Sequence, residues 1–234
     1  MRLSRSALAF IVGCLSSGVA NSSPFSFTGT FVQDDQLQIF LFTAPSTNVI
    51  VRTWGYTGGT NALGQLIPEG GFDPFLSVFN TTLTGGLLQA ASPLVDTNND
   101  GLDVCPTNTP NCVSVDPASG NALDSFLQLT TLAAGGSYAL VLSQGSIIPN
   151  VPNGGTFGDG FSEAGQGNYT ANNGCFTGLP FCAGAFDQRN GSWAVDITGV
   201  GNAVAVGVPE PGSLLLLATG ISGLALLRLR RKQT

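Results

Sequence analysis

The sequence predicts an all-β sandwich, and three observations carry that prediction. β-Branched and aromatic residues alternate with period two in short runs; Gly (32 residues) and Pro (13), with Asn and Asp, cut those runs; and the middle of the chain has almost no helical periodicity. The first run, residues 25–31, alternates Phe25, Phe27, Gly29 and Phe31 with Ser26, Thr28 and Thr30. Residues 37–42 follow the acidic turn Asp34-Asp35, and residues 49–54 follow Pro45. Further strands are expected at 75–79, 125–129, 138–142 and 192–197. Residues 132–137 (Leu-Ala-Ala-Gly-Gly-Ser) read as a tight reversal between two apolar strands, a hairpin signal. Residues 55–71 and 145–174 are long and rich in Gly and Asn, and long loops on a rigid β scaffold are where binding usually sits. The sandwich is expected to occupy residues 25–200.

Both ends carry targeting patterns. Arg2 and Arg5 precede an apolar stretch at 7–15 and the small residues Ser16, Ser17, Gly18, Val19 and Ala20. That order reads as a secretory leader over residues 1–20. A rival reading takes Ile11-Val12-Gly13-Cys14, which resembles a bacterial lipobox, and makes Cys14 a lipidated N-terminus. At the other end, residues 208–232 hold Val208-Pro209-Glu210-Pro211-Gly212, an apolar run at 213–227, and Arg228, Arg230, Arg231 and Lys232. Proline fixes its own φ and biases the residue before it away from helix, so Pro-Glu-Pro reads as extended and accessible. Residues 212–229 would make about 27 Å of helix, barely enough to span a hydrocarbon core, with the basic end held in the cytoplasm.

That order resembles the PEP-CTERM sorting signal of Gram-negative bacteria, which a membrane-embedded exosortase reads. The resemblance implies that Val208, Pro209, Glu210 and Pro211 form the sorting motif. It also implies inner-membrane anchoring through the helix before processing, and delivery to the cell surface or extracellular matrix afterwards. A plain one-helix anchor is the bland alternative.

Charge excludes one class of partner. Between the leader and the tail the cations are Arg52 and Arg189, against 13 acidic residues, a net −11 with no Lys. Such a surface repels phosphate backbones, so nucleic acid is not expected as a partner. It suits a calcium-containing exterior or simple solubility outside the cell.

Cys105, Cys112, Cys175 and Cys182 fall in two pairs of the same spacing, each with Pro in its loop. Four cysteines allow about three connectivities, and an even number in an exported chain reads as disulfides. Spacing and loop composition favour the local bridges Cys105–Cys112 and Cys175–Cys182. A zinc site fits poorly, because the chain has no His.

The best chemical motif is residues 96–103, Asp-Thr-Asn-Asn-Asp-Gly-Leu-Asp. Oxygen-bearing side chains at alternate positions followed by Gly are how calcium loops wrap a hard cation. Asp96, Asn98 and Asp100 would give side-chain oxygens, Leu102 its carbonyl and Asp103 a further carboxylate. Thr107 stands where an EF-hand has its bidentate Glu, and an Asx-rich turn between strands is the structural alternative.

Catalysis is not expected. Without His there are no Ser-His or Cys-His nucleophile pairs and none of the common zinc-hydrolase sites. Trp54, Tyr56, Tyr169 and Trp193 could make an aromatic platform for sugar rings, with Trp54 and Tyr56 the best placed beside the long Gly loop; a Trp on a sandwich strand is more often core.

Several segments together resemble exported bacterial domains related to the bacterial pre-peptidase C-terminal domain. They are residues 27–35, 71–79, 123–127 with 134–138, 159–161 with 165–169, and 191–197. This resemblance implies a single jelly-roll-like β-sandwich without catalytic machinery. The function expected from these readings is a non-catalytic cell-surface or matrix protein with a structural or interaction role. The alternative is a carbohydrate- or polysaccharide-binding module, stabilised by calcium, acting on extracellular polysaccharide.

Overall fold

The computed structural model describes residues 23–101, 114–117, 119–175, 177–184 and 186–207. The leader, Leu102, Asp103, Cys105, Cys112, the Val208–Pro211 motif and the apolar run at 213–227 lie outside these residues. Among the described residues no helix is long and apolar enough to cross a membrane.

The strands are β1 (Phe25–Thr30), β2 (Gln38–Ala44), β3 (Val49–Thr53), β4 (Gly59–Thr60), β5 (Leu66–Ile67), β6 (Pro74–Asn80), β7 (Leu94–Asn98), β8 (Phe126–Leu129), β9 (Gly136–Gln144), β10 (Ser192–Thr198) and β11 (Asn202–Val206). They pair as a four-stranded sheet in the order β1-β10-β3-β8 and a five-stranded sheet in the order β11-β2-β9-β6-β7. β4 and β5 form a small hairpin of their own. Every strand pairing is antiparallel. With β4, β5 and β11 set aside, the remaining eight strands run 1-10-3-8 over 2-9-6-7, the double Greek-key order of a jelly roll.

The core lies between the two sheets, and period-two alternation puts it there. Phe40, Phe42 and Ala44 of β2, Val49 and Val51 of β3, and Trp193, Val195 and Ile197 of β10 all face inward. Aromatic rings bridge the layers: Phe27 and Phe40 lie 4.9 Å apart, and Phe40 meets Trp193 edge-on at 5.8 Å. β9 breaks the alternation because both of its faces are covered. Tyr138, Leu140 and Leu142 face the core, whereas Val141 packs under Ile147, Phe157, Phe161 and Tyr169 of the 145–174 segment. That second cover explains why β9 reads as a continuous apolar run.

The structure corrects three local expectations. Residues 132–137 do not close a hairpin. β8 pairs with β3 and β9 with β2 and β6, so the reversal carries the chain from one sheet to the other. Both flanking strands show an apolar face to the same core, which gives the sequence signature of a hairpin. Gly135 makes the corner at φ 77°, a conformation open to Gly without a Cβ penalty. The first half of the 96–103 motif is strand rather than loop: Asp96 and Asn98 lie in β7, paired to β6 across a bulge at Val78/Phe79. Residues 55–71 contain the β4–β5 hairpin, and β11 adds an edge strand the sequence did not signal.

Candidate functional site

The outer face of the four-stranded sheet is polar and charged. Register sets Ser26 of β1, Asp196 of β10 and Arg52 of β3 side by side. The Asp196 carboxylate is buried and accepts from the Ser26 hydroxyl, from Trp54 Nε1 at 2.7 Å and from the Ala62 N–H at 2.8 Å. Arg52 lays its guanidinium 3.5 Å from the centre of the Trp54 ring. Gly59 of the β4–β5 hairpin sits against the same indole so closely that a Cβ there would come within 2.9 Å of it. Trp54 is therefore clamped rather than displayed.

Tyr56 is fully buried. Its ring lies 3.8 Å below the Arg189 guanidinium, and its hydroxyl donates to Asp187 Oδ2 at 2.9 Å. Arg189 in turn pairs with Asp116 and Asp187, both at 2.7 Å. Burial pushes the Tyr56 phenol up, so it stays a neutral donor. Asp124 locks the same corner by accepting from Thr53 Oγ1 (3.0 Å), the Tyr56 N–H (3.2 Å), the Thr57 N–H (2.8 Å) and Thr57 Oγ1 (2.6 Å). Trp54 and Tyr56, the expected sugar platform, thus do not lie as free rings. Trp193 is core, and Tyr169 packs over β9, its phenol pushed up by burial.

Beside this corner the β4–β5 hairpin overhangs a groove of about 480 Å³. Thr28, Thr30, Gln65, Glu69, Asn190 and Ser192 give it a lining of hydroxyls, amides and one carboxylate.

Asp34 organises a neighbouring turn, linked to the Arg189 corner through Phe181, whose carbonyl accepts from the Arg189 N–H at 3.0 Å. Buried in the β1–β2 connection, it accepts from the Thr170 N–H at 2.8 Å, Thr170 Oγ1 at 2.6 Å and the Phe181 N–H at 2.6 Å. Cys175 and Cys182 close a disulfide next to Thr170, one of the two local bridges expected from spacing.

The 96–103 motif is divided between different tasks. Asp96 is exposed and its Oδ1 accepts from the Thr97 N–H at 2.9 Å. Asn98 is buried; its Oδ1 accepts from the Phe126 N–H at 2.8 Å and its Nδ2 donates to the Asp100 carbonyl at 3.3 Å. The first bond ties β7 to β8, and the second fixes the turn that follows β7. Asp100 lies at the next corner with Asn99 and with Asp73, which precedes β6 and which the sequence reading missed. Asp73 is half-buried as a residue, but its Oδ1 is shut off from solvent and has no hydrogen-bond partner among the described residues. Burial, then the charges of Asp100 and Asp124, pushes its carboxyl well above the usual carboxylate range. Nothing local in the sequence marks Asp73, because its neighbours Asp100, Asp124 and Gly145 come from the segments after β7, before β8 and after β9. Among the described residues no three Asp, Glu or Cys side chains converge as a ready metal cluster.

Comparison with known families adds one decisive match: residues 207–232 fit the PEP-CTERM protein-sorting motif. The chain carries a PEP-CTERM sorting signal. That signal marks an exported protein of Gram-negative type, handled as cargo by an exosortase-type sorting enzyme. The PEP-CTERM match covers the tail alone and leaves the sandwich unassigned. No curated protein matches the chain.

Proposed function

We propose that this protein is a non-catalytic cell-surface or matrix component, a rigid jelly roll displayed after sorting through its PEP-CTERM tail. The observation that carries this reading is the sorting motif at residues 207–232, joined to a sandwich whose buried acids serve structure. Asp34, Asp116, Asp124 and Asp196 each hold backbone, hydroxyl, indole or guanidinium partners. Acids so engaged are poor proton donors or nucleophiles, because reaction would break the contacts that shape the fold. The jelly-roll order also supports kinship with the bacterial pre-peptidase C-terminal domain. In this reading the apolar segment at 212–229 is a temporary anchor, and processing near Pro209-Glu210-Pro211 releases the domain to the surface.

The test is expression of the full chain in a Gram-negative host with and without its exosortase, followed by fractionation and mass mapping of the C-terminus. With the exosortase, surface material should end near Pro211; without it, the protein should stay with the inner membrane. Surface protein that still carries residues 214–227 in both hosts would refute sorting by cleavage.

A second reading, polysaccharide binding, is supported by the groove under β4–β5, where hydroxyls and amides stand beside Leu66, Ile67 and Pro68, rather than by Trp54 or Tyr56. Hydroxyl and amide linings suit sugar hydroxyls. Saturable glycan-array binding lost in Asn190→Ala and retained in Tyr169→Phe would favour it, and an array without signal would remove it.

A further inference from the structure

The corner where β6 begins and β7 ends holds oxygens that no described residue satisfies. Asp73 Oδ1 and Asn99 Oδ1 are both buried without a hydrogen-bond partner among the described residues. Unpartnered buried acceptors are rare, and each one calls for a proton, a water or an ion. The surroundings supply little else. The Ser125 hydroxyl is drawn between the carbonyls of Pro74 (2.7 Å), Asn98 (3.2 Å) and Asn99, and can donate to only one of them at a time. Asp124 has no spare capacity, since its two oxygens already accept from Thr53, Tyr56 and Thr57. The Asn99 amide nitrogen lies 3.5 Å from Asp100 Oδ2, at the limit of a hydrogen bond, so that amide and that carboxylate sit side by side. Two buried acceptors, Asp73 Oδ1 and Asn99 Oδ1, therefore stand near the carboxylates of Asp100 and Asp124 with no donor from the described residues.

We propose that Asp73, Asn99 and Asp100 bind one hard divalent cation, calcium, at the junction of β6 and β7. The donor set is oxygen only, which suits calcium and not zinc or copper; the chain has no His, and Cys175 and Cys182 are bonded to each other. Two carboxylates with an amide oxygen make a partial shell, completed by water, so binding is of the weak extracellular kind, about 10⁻⁴–10⁻³ M. This set differs from the one the sequence motif suggested. Asp96 faces solvent on β7 and Asn98 Oδ1 is committed to the Phe126 N–H, so neither is a ligand here. Charge neutralisation would remove the repulsion that Asp100 and Asp124 exert on Asp73, and would tie the start of β6 to the end of β7.

The test uses the full chain in detergent, stripped with EDTA and titrated with calcium chloride by calorimetry, with thermal melts at zero and 5 mM calcium. Wild type should bind one calcium and melt several degrees higher with it. Asp73→Asn, which keeps shape and removes charge, should lose at least tenfold in affinity and most of the thermal shift. Asp96→Ala should keep both. Should Asp73→Asn fail to fold, Asp100→Asn gives the same reading. No heat and no thermal shift in the wild type overturns the proposal. So does an Asp73→Asn protein that binds like the wild type, or an Asp96→Ala protein that does not bind.

Discussion

Asp34 and Thr170, 136 positions apart in the chain, are joined twice: one carboxylate oxygen accepts from the Thr170 N–H at 2.8 Å and from its hydroxyl at 2.6 Å. The other oxygen accepts from the Phe181 N–H at 2.6 Å. Through these bonds a turn between two strands anchors the 145–174 segment over the five-stranded sheet. Asp34→Ala would leave two buried N–H groups unpaired and should cost about 3 kcal/mol or more, measured by urea denaturation. Asp34→Asn should recover only part, because its amide nitrogen must face an N–H. A loss under about 1 kcal/mol for the Ala variant would show that the segment is held by its apolar contacts instead.

Asp196 does comparable work for Trp54. Without its carboxylate the indole N–H and the Ala62 N–H lose their acceptor. Asp196→Ala should cost about 2 kcal/mol and loosen the β4–β5 hairpin. Trp54 emission should shift to the red, read cleanly in a Trp193→Phe background, since the chain has two Trp residues. An unchanged spectrum would mean that Arg52 and Gly59 alone keep the ring in place.

Most of the sandwich was legible in the sequence because its strands obey one rule, alternation against a shared core. β1, β2, β3, β8 and β10 announce themselves that way, whereas β6 and β9, covered on both faces, show as short apolar runs. β7 and β11 do neither: β7 carries Asp, Thr and Asn on a sheet edge, and β11 alternates only Ala and Val. The acid contacts were illegible for a different reason. The partners of Asp34 lie 136 and 147 positions away, and the surroundings of Asp73 come from Asp100, Asp124 and Gly145. Sequence shows residue type locally, whereas these contacts exist only once the jelly roll has closed. The setting of Tyr56 was illegible on the same ground, since nothing near it signals that Arg189 will lie on its face, whereas Arg52 stands two residues before Trp54, where strand alternation puts both side chains on one face.

Gly29 offers a test of core fit. It pairs with Trp193 across β1 and β10, and a Cβ built on it would overlap the benzo edge of that indole. Its φ is not positive, so the constraint is space rather than backbone conformation. Gly29→Ala should therefore destabilise by about 1–3 kcal/mol, as overpacking does. Combining it with Trp193→Phe should cost less than the sum of the two single changes, because the smaller ring vacates the contested volume. Strict additivity in thermal melts would place the strain elsewhere.

Arg189 makes the most consequential charge contacts of the described residues. Its side chain is 6% exposed and that of its partner Asp116 only 1%, with Nη2 and Oδ2 2.7 Å apart. Nε holds Asp187, and the flat guanidinium covers the Tyr56 ring at 3.8 Å. Removing one partner of a buried pair strands the other charge, so Arg189→Met should cost about 3–5 kcal/mol. Lys keeps the charge but has neither the fork that reaches both acids nor a plane to stack on Tyr56. Arg189→Lys should accordingly recover only part of the loss. Arg189→Met with Asp116→Asn should be more stable than Arg189→Met alone, because the stranded charge is gone. If urea denaturation instead finds the double variant weaker than either single change, Asp116 is needed for its contacts to Ser119 and not as the counter-ion of Arg189.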